Sequence, residues 1–191
     1  MRAVFDMSQQ VAAGLDRAAA RVLTTLTRLV FALVLLVYYW NSGLTKLGDG
    51  VLGLVRPSVG AYAQIFPRRM ESVGYDISQL GAVDHLVVLA GTWAELILPA
   101  LIVLGCLTRL AAVGMIGFIL VQSATDIWGL GVGAEDVGRW FDRTAGAAIL
   151  DQRAFWIVTL LVPVTMGGGP LSLDRLLFRS GPSARPAFRQ Q

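Results

Sequence analysis

The chain has 191 residues, of which 55% are hydrophobic and 15% charged, and its mean hydropathy is +0.63. This balance excludes an ordinary soluble domain and predicts an integral membrane protein. The formal charge is +3, but the sequence has no patch in which basic and aromatic residues alternate. We therefore expect anionic lipid, and no nucleic acid, as a partner.

Four apolar runs meet the length that a membrane span requires, which is about 20 residues for roughly 30 Å of hydrocarbon. The predicted spans cover residues 22–40, 85–104, 110–126 and 152–167. Residues 1–21 carry apolar side chains at helical spacing and predict a helix on the membrane surface, with a frayed, solvated terminus as the alternative. The first span ends in an aromatic belt, Tyr38 to Trp40, rather than in a cleavage site, so we interpret it as retained.

The remaining residues are predicted to form two outward loops, 41–84 and 127–151, and a cytoplasmic tail, 170–191. The stretch SVGAYAQIF in the first loop predicts a short interfacial helix. The second loop carries aromatic residues among mixed charges, typical either of a cap on the lipid headgroups or of a docking surface for another subunit. In the tail, Ser172 is expected to cap a short amphipathic helix, and the final GPSARPAFRQQ is expected to be disordered.

The sequence therefore predicts an all-α membrane protein, a single four-helix bundle over residues 1–191. Lys and Arg concentrate, with few acids among them, in the N-terminal segment, at Arg109 and in the tail. By the positive-inside rule both termini then lie in the cytoplasm, and the protein spans a bacterial inner membrane.

Glu95 is a single carboxylate in the middle of the second predicted span. It shares one helical stripe with His85, Thr92 and Pro99, which should face the bundle interior rather than lipid. Estimates of depth at 1.5 Å per residue bring two partners within reach of it, and the expected polar core consists of Glu95, Arg28 and Gln122. Three states stay open for Glu95: an ion pair with Arg28, a neutral hydrogen-bonded carboxyl, or an ionised group in water.

A second polar cluster is predicted at the outward end of the spans, and its candidate quinone-site residues are His85, Lys46, Asp126 and Gln122. A quinone headgroup needs a hydrogen-bond donor at one carbonyl and a titrating group near the other. The alternative is that these are ordinary interfacial polar residues. Glu95 is the one candidate catalytic residue.

Cys106 and His85 are the only cysteine and the only histidine. An intrachain disulfide, a C-x-x-C pair and bis-histidine haem are therefore excluded, and we expect neither a metal site nor a covalently bound cofactor. His/Met ligation through Met115 or Met70 remains a minor alternative. Redox chemistry would depend on a borrowed carrier, either a quinone or the cofactor of a partner.

Three blocks resemble the DoxX family of membrane proteins: NSGLTKL, then GTWAELILPALIVLGCLTRLAAVGM, then GGGPLSLDRLL. The resemblance places the family's motif residues at Lys46, Glu95, Thr108, Arg109, Ser172, Leu173 and Asp174. It implies a four-helix membrane fold and a role as an accessory or anchoring subunit of an oxidoreductase or electron-transfer complex. The loop between the third and fourth spans is longer and more charged than in a minimal member. From the residues alone, Thr108-Arg109 is a topology-fixing turn at the cytoplasmic headgroups.

Two other functions stay open beside a non-catalytic subunit of a redox complex. The protein could bind quinone itself, as a component similar to thiosulfate:quinone oxidoreductase, and any catalysis would then be quinone-linked. It could instead be a small proton-coupled transporter that uses Glu95, although no inverted repeat is visible.

Overall fold

The structure is a computed structural model that describes residues 2–177, with every side chain described from residue 21 onward. Four helices in this part are long and apolar enough to span a membrane: Arg21–Lys46, Ala82–Leu104, Thr108–Leu130 and Ala148–Met166. We call them the first to fourth spans. They confirm the predicted all-α class with four spans, and residues 2–177 contain no strand.

The first span is the largest departure from the predicted boundaries. Helical residues run without interruption through Arg2–Phe31, the π-helical Ala32–Leu36 and Val37–Lys46. The N-terminal segment is therefore helical as predicted, but it continues the first span instead of forming a separate surface helix. The predicted end at residue 40 was also wrong, because polar residues that we expected in a loop form the last turns of this helix.

Short helices connect the first and second spans. They are the 3₁₀ turns Val51–Leu54 and Ile77–Gln79 and the α-helices Val59–Ile65 and Pro67–Ser72. The predicted helix in SVGAYAQIF is confirmed, and the Ser58 hydroxyl caps it by accepting from the Ala61 N–H. A small apolar cluster, Ala61, Tyr62, Met70, Leu80 and Val88, fixes this connection to the second span.

The remaining elements fall at the two ends of the bundle. The loop end carries the 131–147 connection, with a short helix at Ala134–Val137, and the later part of the 47–81 connection. The turn end carries the 105–107 turn and the helix Leu173–Leu177. The third span ends in the π-helical Thr125–Leu130, and the fourth consists of the π-helical Ala148–Gln152 followed by Arg153–Met166. Residues 178–191, including the tail predicted to be disordered, lie outside the described residues.

All four spans contribute to the main apolar core. Its buried members are Phe31, Leu35, Tyr39, Ile102, Ala111, Ala112, Met115, Ile119 and Leu160. In the second span the buried positions follow one stripe, which includes Thr92, Glu95 and Pro99. The expected orientation of that stripe toward the bundle interior is therefore observed for these three residues, whereas His85 is only half-buried.

At the turn end, Asp174 joins the C-terminal helix to the turn between the second and third spans. Its carboxylate accepts hydrogen bonds from the Leu107 N–H at 2.7 Å, the Thr108 N–H at 2.9 Å and the Thr108 hydroxyl at 2.6 Å. Gly105, at φ 69°, and Leu107, at φ 47°, both adopt the left-handed conformation there. The side chain of Asp174 thus satisfies the amide groups that this tight turn leaves free at the start of the third span.

Replacing Asp174 with Asn should destabilise the protein. One carboxylate oxygen would become an amide NH₂, which cannot accept a hydrogen bond from the donors of Leu107 and Thr108. A hydrogen bond to a charged group contributes about 1.5–3 kcal/mol, and we expect the free energy of unfolding to fall by that order. Thermal unfolding in detergent measures the change. The exposed Glu71→Gln should leave the melting temperature unchanged.

The same contact should depend on pH. Burial disfavours the Asp174 carboxylate, but the hydrogen bonds from Thr108 and Leu107 and the charge of Arg28 outweigh it and hold its pKa below its ordinary value of 3.8. Because the folded-state pKa is lowered, the stabilisation is complete above that value and is lost as the pH falls through the folded-state pKa. A stability gap between wild type and Asp174→Asn that stays constant well below pH 3.8 would contradict this account.

Candidate functional site

Lys46 and Glu95 form an ion pair inside the bundle. The Lys46 Nζ atom lies 2.8 Å from Glu95 Oε1 and 2.7 Å from Oε2, and it donates a third hydrogen bond to the Ser42 hydroxyl at 2.7 Å. The two side chains are only 5% and 6% exposed. Each buried charge is thus paired and hydrogen-bonded, which is the condition under which a membrane interior tolerates charge.

Close packing of the first and second spans brings the two residues together. A Cβ atom at Gly43 would lie 2.8 Å from Leu96 Cδ2 and 3.3 Å from Glu95 Cβ, so the helices approach through this glycine. Lys46 follows Gly43 by three residues and therefore lies on the same helix face. Trp40 strengthens the contact by donating from Nε1 to the Leu96 carbonyl at 3.0 Å.

The ion pair borders a cavity of about 410 Å³ that is lined by the first three spans and by Gln64 and Ile65 of the first connection. Its polar lining consists of Tyr38, Ser42, Lys46, Gln64, Glu95, Gln122, Thr125 and Asp126. Its remaining walls are apolar or glycine, among them Ala94, Leu98, Gly117 and Phe118. Two lining residues, Val87 and Val121, are 42% and 66% exposed, so the cavity opens sideways between the second and third spans, toward lipid.

A second ion pair borders the same cavity at the loop end. Asp126 Oδ2 lies 2.5 Å from Arg153 Nη2, and Arg153 Nη1 donates to the Ser123 hydroxyl at 2.9 Å. Arg153 is 7% exposed, and its Nε has no hydrogen-bond partner among the described residues. Asp126 is therefore held in place from behind by the fourth span while one side of it faces the cavity.

Gln122 lies on the cavity wall and is oriented by two tyrosines of the first span. The Tyr39 hydroxyl donates to Gln122 Oε1 at 3.3 Å, and Gln122 Nε2 donates to the Tyr38 hydroxyl at 3.3 Å. The rings of Tyr38 and Tyr39 are in edge contact with centroids 5.0 Å apart, and Trp156 packs on both. This aromatic packing fixes the amide of Gln122 in the wall.

The candidate quinone-site residues do not all come together. Lys46, Gln122 and Asp126 line the Glu95 cavity, but His85 lines a different cavity and shares a 2.7 Å hydrogen bond with the Tyr62 hydroxyl through Nδ1. The separation follows from the directions in which the residues face, since Val87 lines the Glu95 cavity whereas His85, two residues earlier and about 200° around the helix, lines the other one.

The expected partners of Glu95 were wrong. Arg28 does not reach it and instead donates at the turn end to the carbonyls of Ile102, Val103, Gly168 and Leu171, at 2.5–2.9 Å. Gln122 is engaged by the tyrosines. The pairing of Lys46 was not predicted, because Lys46 was expected in a loop. The spacing of Gly43 and Lys46, a small residue followed three positions later by a lysine, could have indicated a continued, closely packed helix.

The predicted turn residues differ in their surroundings. Thr108 is buried against Asp174, whereas Arg109 is exposed. Cys106 is half-buried as a free thiol. In the part of the chain that the structure describes, no group of three or more His, Cys, Asp or Glu residues is placed to hold a metal ion.

These features define a multi-pass membrane protein with a buried ion pair beside an intramembrane cavity. Residues 23–125 match the family model described as DoxX. The match covers more than half of the chain, and the chain therefore belongs to the DoxX family. The matched region includes Lys46 and Glu95 and ends just before Asp126. Comparisons with curated proteins and with solved structures found no match.

Removing one member of the Lys46–Glu95 pair should cost much more than removing both. Lys46→Met leaves an uncompensated buried carboxylate, and we expect it to lose about 3–5 kcal/mol of stability. The double variant Lys46→Met/Glu95→Leu should recover most of that loss. Thermal or denaturant unfolding in detergent, arranged as a double-mutant cycle, measures the coupling.

The Arg69–Asp84 pair at the loop end provides a matched control. Its arginine side chain is 55% exposed and its aspartate 7% exposed, and Asp84 keeps its hydrogen bond from the Gly81 N–H when Arg69 is replaced, so Arg69→Met should cost less than Lys46→Met. If the Lys46→Met/Glu95→Leu variant is destabilised by the sum of the two single changes, the two residues are not energetically coupled and the interpretation of the pair fails.

Proposed function

We propose that this protein is a membrane subunit of an oxidoreductase complex and that its own part is to bind a quinone in the Lys46–Glu95 cavity. The observation that carries the proposal is the shape and polarity of that cavity. It has apolar walls, a sideways opening between two spans, and charged and amide groups at defined positions. A quinone has a matching division into a polar ring and a long apolar tail, and ligand sites of this kind combine apolar walls with a few oriented polar groups.

The side chains around the cavity are suited to hold such a ring and to handle its protons. A bound quinone would supply an acceptor for two electrons and two protons. Lys46 has an ammonium group that can donate to a carbonyl oxygen, and Gln122 presents an amide from the wall. Glu95, in contact with Lys46 at 2.7 Å, can accept or release a proton within the pair.

The electrons would come from a partner protein. One cysteine and one histidine are too few for an iron–sulfur cluster with four cysteine ligands or for bis-histidine haem. The loop end offers a surface for such a partner, since Trp128 and Trp140 are 69% and 61% exposed there. Aromatic residues of this kind are enriched in protein interfaces.

Filling the cavity should abolish quinone binding without unfolding the protein. A Cβ at Gly117 would meet nothing within 4 Å, so Gly117→Leu places a side chain in open space on the cavity wall. We expect at least a tenfold weaker affinity for a short-chain ubiquinone or menaquinone analogue, measured by quenching of tryptophan fluorescence in detergent.

Leu120→Phe is the matched control, because Leu120 belongs to the same span, is 56% exposed and does not line the cavity. It should bind the analogue as wild type does. Equal affinity of the Gly117→Leu and wild-type proteins would argue against this cavity as the site. Purification in mild detergent that yields the chain with neither quinone nor a redox protein would argue against the proposed function as a whole.

We also propose that the protein lies in a bacterial inner membrane with both termini in the cytoplasm. The support is the charge pattern: the turn end carries Arg109 and Arg175, whereas the loop-end connections mix basic residues with many acids. Reporter fusions test the orientation. Alkaline phosphatase should be inactive when fused after Gln191 and active when fused after Gly133, and the reverse pattern would overturn the assignment.

A further inference from the structure

The first span ends about halfway along the second span. Lys46 is the last residue of the first span, and it pairs with Glu95. The second span begins at the loop end with Ala82, and Glu95 follows thirteen residues later. At 1.5 Å per residue, Glu95 is about 20 Å below that end. The chain that follows Lys46 therefore starts deep within the bundle, not at its surface.

The next residues stay at that depth. The Leu54 carbonyl accepts a 2.9 Å hydrogen bond from Trp93 Nε1, and Trp93 lies about 16 Å below the loop end of the second span. The Ser58 N–H then donates to the Lys46 carbonyl at 2.9 Å, so the chain returns to where it left the first span. Val55 and Pro57 line a cavity with His85 and Leu89, about 5–10 Å below the loop end, and the helix Val59–Ile65 then leads further toward that end, where Tyr62 contacts His85.

The turn satisfies much of its own backbone. Gly48 N–H donates to the Gly53 carbonyl, Gly53 N–H to Gly50, and both Val55 and Arg56 N–H groups to Leu52. Gly48 and Gly53 approach so closely that a Cβ on Gly53 would lie 1.9 Å from the Gly48 carbonyl oxygen. Backbone groups in the hydrocarbon region must find their hydrogen bonds within the protein, and these bonds, with the 3₁₀ turn Val51–Leu54, meet part of that requirement.

The side chains of the turn are apolar and uncovered. Val51 is 84% exposed, Leu52 61% and Val55 60%. Three neighbouring apolar side chains of this exposure form a surface that would be unfavourable in water. At the depth of Trp93 the same surface matches the surrounding hydrocarbon.

From these observations we propose that residues 51–55 form a re-entrant turn embedded in the bilayer, where Val51, Leu52 and Val55 contact the acyl chains of phospholipids. Arg56 lines a cavity together with Tyr62 and His85, so its long side chain can extend toward the loop end and the headgroups. Asp49 directly precedes the turn and is exposed, so this position requires its carboxylate to reach water or the headgroups as well. This inference does not depend on quinone binding.

Spin-label accessibility in vesicles tests the proposal. The full chain with Cys106→Ala would carry one new cysteine, Leu52→Cys, labelled with a nitroxide and reconstituted into phosphatidylethanolamine and phosphatidylglycerol. Power saturation compares collisions with oxygen, which concentrates in hydrocarbon, and with a water-soluble nickel chelate. Leu120→Cys, in the middle of the third span, serves as the lipid reference, and the exposed Glu71→Cys at the loop end serves as the water reference.

We expect the Leu52 label to show the high oxygen and low nickel accessibility of the Leu120 label. Nickel accessibility equal to that at Glu71 would place the turn in water and overturn the proposal. Low accessibility to both reagents would mean that a protein surface, from a second copy or a partner, covers the turn, which also overturns it. Val51→Cys, at the most exposed position of the turn, repeats the test if the Leu52 variant does not elute as a folded species on gel filtration.

Discussion

The arrangement of this protein depends on one requirement: the Glu95 carboxylate and the Lys46 ammonium, both inside the membrane, must form an ion pair. A charged residue near a bilayer centre costs roughly 2.5–3.5 kcal/mol on insertion scales, and pairing offsets part of that cost. To bring Lys46 to Glu95, the first span must pack on the second through Gly43 and must end where Glu95 lies. The position of the connection that follows, and the polar end of the cavity, are consequences of this pairing.

The cavity exists because small residues occupy positions where larger side chains would fill it. Gly91, Gly114 and Gly117 all line it, and only Gly117 has open space around its missing Cβ. On its polar side, the carboxylates of Glu95 and Asp126 are each neutralised by a basic residue of another span. The site therefore presents hydrogen-bonding groups to a ligand without presenting an unpaired charge, which suits a neutral, lipid-soluble molecule.

Hydropathy and helical spacing were enough to predict the all-α class, the four spans, the short helix in SVGAYAQIF and the inward stripe of Thr92, Glu95 and Pro99. It failed at Lys46, because a window that counts apolar residues ends a helix at the first polar group, and Asn41, Ser42 and Lys46 all follow the aromatic belt. The polarity of these last turns reflects contact with another helix, a tertiary fact that single-sequence patterns do not contain. Arg28 was misassigned for the same reason: its acceptors are carbonyl groups, which no side-chain pattern reveals.

The contacts of Arg28 also bear on how the chain is assembled. Two of its four carbonyl acceptors, Ile102 and Val103, end the second span, and the other two, Gly168 and Leu171, follow the fourth. During synthesis the first span is made before all of these acceptors, so the guanidinium can meet the Ile102 and Val103 carbonyls only after the second span has been made. Its contacts with Gly168 and Leu171 can form only after translation has passed residue 171, so the full set of four requires all four helices.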